Sequence, residues 1–77
     1  MHLVKRNILL KDGSTQVVFL EPEFWEGLDQ MFQITGQSPR AFYTTVFRSK
    51  GRMTFAAALR TEAVIFYNIA SQKAKVH

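Results

Sequence analysis

A strand that runs without a loop into a helix is the strongest constraint in this chain. Residues 15–28 read TQVVFLEPEFWEGL. Val17, Val18, Phe19 and Leu20 have the composition of a pleated, partly buried strand. Pro22 then suits a first helical position, where a missing N–H costs nothing and φ is already set. Glu21 occupies the cap position without being a favoured capping residue. With Glu23 it places negative charge at the positive end of the helix dipole. Leu20 before the cap and Trp25 at the fourth helical position are spaced as a hydrophobic staple, which fixes the angle between strand and helix. If the staple draws Leu20 inward, alternation turns Val18 inward too, with Gln16 at the strand's start. Thr15, Val17 and Phe19 are then left facing outward.

The rest of the chain can be read around this junction. Residues 3–10, LVKRNILL, are strand-like, and Asp12-Gly13 is a strong turn dipeptide, so a β-hairpin precedes the helix. In the first helix, residues 22–35, Trp25, Leu28, Met31 and Phe32 recur at helical spacing, and Gly36 suits the left-handed position that ends it. Ser38 and Pro39 are a favoured cap and first residue for a second helix running to about Ser49, with Phe42 and Val46 inward, joined by Phe47 and Tyr43. Lys50-Gly51-Arg52 breaks it. Thr54 can cap a third helix to about Ser71, with Phe55, Ala58, Leu59, Ile65, Phe66 and Ile69 as its stripe. One domain over residues 1–71 is expected, followed by a basic frayed tail at 72–77. The order is β-β-α-α-α, an α+β, mainly α, fold.

Size and charge narrow the function. A chain of 77 residues is marginal alone, yet 47% of it is hydrophobic and seven residues are Phe. The surplus points to burial between subunits. The net charge is +4, and from Arg40 onward there are seven Lys or Arg against one acid, Glu62. That bias favours an anionic partner, nucleic acid first. The absence of cysteine removes disulfides and thiolate metal sites. No stretch reads as a targeting signal or membrane span, because Arg60, Thr61 and Glu62 interrupt the longest apolar region. A cytoplasmic protein is expected.

Catalytic chemistry is hard to place. His2 and His77 sit at opposite termini with no third ligand, so no metal site is expected. There is no phosphate-binding glycine loop, no Ser–His–Asp set and no HExxH helix. Glu23, Glu26 and Asp29, spaced i, i+3, i+6, share one solvated face rather than forming an acid–base pair. No enzyme activity and no cofactor are expected. What remains is nucleic-acid recognition: a two-stranded ribbon fits the major groove, and a helix N-terminus can hold a phosphate. At the second helix, Pro39 offers no N–H, so the amides of Arg40 and Ala41, with the Ser38 hydroxyl, would form such a site.

The sequence resembles the ribbon-helix-helix, Arc-type, DNA-binding family. The likeness rests on a strand followed by LEPEFWEGL and then GQSPRAF. It is nearer to a bacterial branch in which a glycine turn precedes an LEPEFW helix start and an Ala-Leu-Arg helix follows. Here those pieces are Asp12-Gly13, residues 16–25 and Ala58-Leu59-Arg60, and the likeness covers roughly residues 6–66. The resemblance implies a homodimer in which one strand from each subunit forms a ribbon in the major groove of double-stranded DNA. It implies sequence-specific binding, expected to repress transcription in a bacterial, plasmid or phage setting. Thr15, Val17 and Phe19 become the base-facing residues, and Lys5, Arg6, Lys11, Ser38 and Arg40 the phosphate or basic contacts. Val18, Leu20, Trp25, Leu28, Met31, Phe42 and Val46 become the dimer core.

Two departures from the family stand out. Outward strand positions are usually polar or basic there, whereas Val17 and Phe19 are apolar. Either they touch thymine methyls, or they are covered by the first strand or another protein, or the strand is bulged; Lys5, Arg6 and Asn7 would then offer alternative donors to the bases. Thr61 and Glu62 stand where apolar residues are usual. Two alternatives to a plain repressor follow: an antitoxin whose third helix also holds a toxin, or a dimerisation module that binds protein.

Overall fold

The structure, a computed structural model, describes residues 2–75, with side chains through Ser71. Its elements are β1 (Val4–Leu9), β2 (Thr15–Leu20), α1 (Pro22–Thr35), α2 (Pro39–Ser49) and α3 (Phe55–Lys75). The strands pair antiparallel as a hairpin, in register from Val4 opposite Leu20 to Leu9 opposite Thr15, without a bulge. Its turn forms because Gly13 takes φ +88°, where a side chain would be strained. The Asp12 carboxylate accepts from the Ser14 backbone N–H at 2.9 Å and hydroxyl at 2.6 Å. These bonds hold its pKa below the ordinary aspartate value.

Punctuation in the sequence sets the helix ends. Gly36 ends α1 at φ +71°, with its N–H donating to the Phe32 carbonyl. The Ser38 hydroxyl caps α2 by accepting from the Ala41 N–H, and Thr54 caps α3 by accepting from the Ala57 N–H at 3.1 Å. At the strand–helix junction Glu21 caps α1 by position alone. Its carboxylate is taken instead by Arg60 of α3, whose Nε and Nη2 donate to Oε1 at 3.0 and 2.8 Å. That partner holds the Glu21 carboxyl below its usual range, and the Arg60 guanidinium also lies over the Phe24 ring.

The core lies between the hairpin and the three helices. Leu20, Leu28 and Leu59 are fully buried and Trp25 nearly so, with Ile8, Leu10, Val18, Met31, Tyr43, Val46, Phe55, Ala58 and Ala63 around them. An edge-to-face cluster of Phe32, Phe42, Tyr43 and Phe55 joins α1, α2 and α3. Burial pushes the Tyr43 phenol up to about 12. On α2, therefore, Tyr43 is the deeper residue and Phe42 only half-buried.

The third helix departs from its expected stripe. Phe55, Ala58, Leu59 and Ala63 are buried and Phe66 half-buried, but Ile65 and Ile69 are exposed. Beyond Ala63 the helix keeps neighbours at Phe66 and Tyr67, while the side that bears Ile65 and Ile69 is left open. It also continues to Lys75 rather than ending near Ser71. The tail expected at 72–77 thus begins as helical backbone; its side chains, with His77, lie outside the described residues. Tyr67 fastens this half to α1: its hydroxyl donates to the Glu23 carbonyl at 3.3 Å, over Gly27, whose missing Cβ would lie 2.6 Å from the Tyr67 hydroxyl.

Candidate nucleic-acid interface

The hairpin has one packed face and one open face. Ile8, Val18 and Leu20 lie against the helices, while Lys5, Asn7 and Leu9 of β1 and Thr15, Val17 and Phe19 of β2 are exposed on the other side. Val17 is 58% exposed and Phe19 50%. The register sets Lys5 opposite Phe19, Asn7 opposite Val17 and Leu9 opposite Thr15. This open face holds no acidic residue among those described, so its one formal charge is that of Lys5.

The backbone of β2 is open along one edge. The Leu10 N–H donates to the Ser14 carbonyl at 2.9 Å, which makes these two a hydrogen-bonded pair. Alternation along an antiparallel ladder then directs the N–H and C=O groups of Gln16, Val18 and Leu20 toward β1. Those of Thr15, Val17 and Phe19 point to the unpaired edge. A free edge of this length is a template for another strand, and a two-stranded hairpin is marginal by itself.

The second helix starts beside the hairpin turn. Thr44, buried on α2, accepts from the Lys11 backbone N–H at 3.0 Å and donates to the Arg40 carbonyl at 2.8 Å. One hydroxyl thereby ties the turn to the first turn of α2. Ser38 and Arg40 are exposed at that helix start. Because Ser38 takes the Ala41 N–H at 3.3 Å, Ala41 is no longer a free donor, and the Arg40 amide is left for an anion. Thr44 was not singled out from the sequence; the only signal is a hydroxyl residue on an otherwise apolar helical face.

Arg6 has a different placement from Lys5 and Lys11. It lies on the helix-facing side of β1, where Nη1 and Nη2 donate to the two Asp29 oxygens at 2.9 and 3.0 Å. Its guanidinium stacks 4.8 Å from the Trp25 ring centroid. Hydrogen bonding to Asp29 raises its pKa further, against the opposing effect of burial. Even numbering on β1 puts Arg6 on the same face as Ile8, so it is removed from the set of outward donors and becomes a clamp between β1 and α1. Trp25 completes the clamp, with Nε1 donating to the Val4 carbonyl at 2.8 Å.

The residues expected in an intersubunit core are mostly buried by the chain itself. Val18, Leu20, Trp25, Leu28, Met31 and Val46 are buried without a second copy, and Phe42 is half-buried. The extra strand and α3 supply the cover that was assigned to a partner. The uncovered apolar residues are others: Leu3, Leu9, Val17 and Phe19 at the hairpin, Ile34, Met53, and Val64, Ile65 and Ile69 on α3.

A strand feeding straight into α1, followed by a capped α2, is consistent with the fold of a known family. The family model described as ribbon-helix-helix domain matches residues 3–67. The chain belongs to the ribbon-helix-helix family. That family is a DNA-binding, non-enzymatic fold associated with transcription regulation, and the match takes in β1 and most of α3 as well as the strand–helix–helix unit. Neither a curated protein nor a solved structure gives a significant match. Among the described residues no helix is long and apolar enough to cross a membrane.

Proposed function

We propose that this ribbon-helix-helix protein is a homodimeric, sequence-specific DNA-binding regulator of the cytoplasm that represses transcription, and that it uses no cofactor. The observation that carries the reading is the unpaired edge of β2 beside an exposed face free of acids. Two copies joined edge to edge through Thr15, Val17 and Phe19 would make a four-stranded sheet in the order β1-β2-β2-β1. The two β2 strands would form the ribbon. Their outward side chains, Thr15, Val17 and Phe19, would face base edges in the major groove. Lys5, Lys11, Ser38 and Arg40 would hold phosphates on either side; Arg6 would act only by fixing β1 on α1.

The test is titration of a duplex from the region upstream of the protein's own gene, at several salt concentrations. Phosphate contacts release counterions, so the affinity is expected to fall steeply as salt rises. Affinity that is flat between low and moderate salt would count against the mechanism. The exposed Val64, Ile65 and Ile69 favour a second reading, in which α3 also holds a protein, as an antitoxin holds its toxin. Co-purification of a stoichiometric partner lost on Ile65→Asp would support it.

A further inference from the structure

We infer that the DNA recognised by this protein is read through the C5-methyl groups of thymine, with Val17 and Phe19 as the residues that contact them. The inference rests on the DNA-binding reading above and deepens it. Neighbouring strands lie about 4.8 Å apart, so the outer strands of a four-stranded sheet have axes about 14 Å apart. The major groove is about 12 Å wide. Only the central β2 pair reaches the groove floor, and the β1 strands ride above its rims.

That geometry separates the exposed side chains by chemistry. Lys5 and Asn7, the polar residues that β1 adds to the outer face, lie over the phosphates. Below them, on β2, the base edges meet Thr15, Val17 and Phe19, which are opposite Leu9, Asn7 and Lys5. Of these three only Thr15 can exchange a hydrogen bond with a base. Val17 and Phe19, each at least half exposed, would leave the O6 and N7 of guanine or the amine of cytosine dry and unpartnered, which is unfavourable. The major groove offers one apolar group, the thymine methyl. The match of apolar side chain to methyl is therefore the only favourable arrangement for these two positions. The acid-free face and Lys5 at its border keep the surroundings suited to an anion rather than to an apolar protein surface.

The experiment uses the full chain. Duplexes are first selected from a randomised pool, and their affinity is then measured by fluorescence anisotropy with each thymine replaced in turn by deoxyuridine, which lacks only the methyl. Each methyl in contact is expected to account for about fourfold in affinity, the equivalent of one buried carbon, with no change for thymines outside the ribbon footprint. In Val17→Ser and Phe19→Ser, both surface changes that leave no methyl or ring to meet the base, the uracil penalty should vanish at the position that residue touches and persist at the other. Selected duplexes bound equally well with uracil and thymine at every position would overturn the methyl assignment and leave DNA binding standing. A folded protein that selects no duplex at low salt would overturn both.

Discussion

The two faces of β2 do opposite work in six residues. Val18 and Leu20 are buried against the helices, whereas Val17 and Phe19, equally apolar, are about half exposed. Composition therefore does not separate the two roles; parity does. A side chain on the inner face is held in the core that the hairpin shares with the helices, and its loss is felt by the whole fold. One on the outer face is held by nothing in the chain, and its identity is free to be set by what the sheet meets.

The contrast is sharpest for stability. Leu20→Ala should lower it by about 2–5 kcal/mol, a large part of what a small domain has, as read by urea denaturation. Thr44→Val is expected to cost about 1–2 kcal/mol, because it leaves the Lys11 N–H without its acceptor. It should also weaken DNA binding on all sequences alike, since the turn is then loose from α2. Arg60→Met should have a smaller, pH-dependent effect. The Glu21 carboxyl is held below 4.5 by Arg60, so the pair stabilises the fold above that pH and the contribution fades as acid protonates the folded carboxyl. The difference between Arg60→Met and the parent should therefore narrow below pH 4.5. Val17→Thr should fall within about 0.5 kcal/mol of the parent while changing sequence preference. An outer-face change that unfolds the protein, or a Leu20→Ala that does not, would break the comparison.

Local chemistry made much of this fold legible in the sequence. Pro22 and Pro39 start helices, Ser38 and Thr54 cap them, and Gly13 and Gly36 take left-handed turns; each of these effects acts within a few residues. The alternation in β2 followed from Leu20 and Trp25 alone. What was not legible depends on distant neighbours. Helical spacing named Ile65 and Ile69 as core, but it does not tell which side of α3 is left open. Ala63 carries little signal because a methyl side chain adds little to an apolar stripe, although it is fully buried. Arg6 read as a free cation because its partner, Asp29, lies 23 residues away. Thr44 carried no signal beyond its hydroxyl, since the Lys11 amide it serves comes from another element. Of the proposed interface, the parity of β2 and the start of α2 were readable; the open edge of β2 and the tie through Thr44 needed the tertiary structure.

The chain has one tryptophan, and it sits under the hairpin with Arg6 stacked on it and its Nε1 on the Val4 carbonyl. Its fluorescence is thus an internal gauge of whether β1 is docked on α1. Emission should be blue-shifted in the docked state and move to the red when the hairpin lifts. Because the indole lies on the side of the sheet away from Val17 and Phe19, a ligand on the outer face does not reach it, and any change in emission on binding reports a movement of the hairpin rather than contact with the ligand.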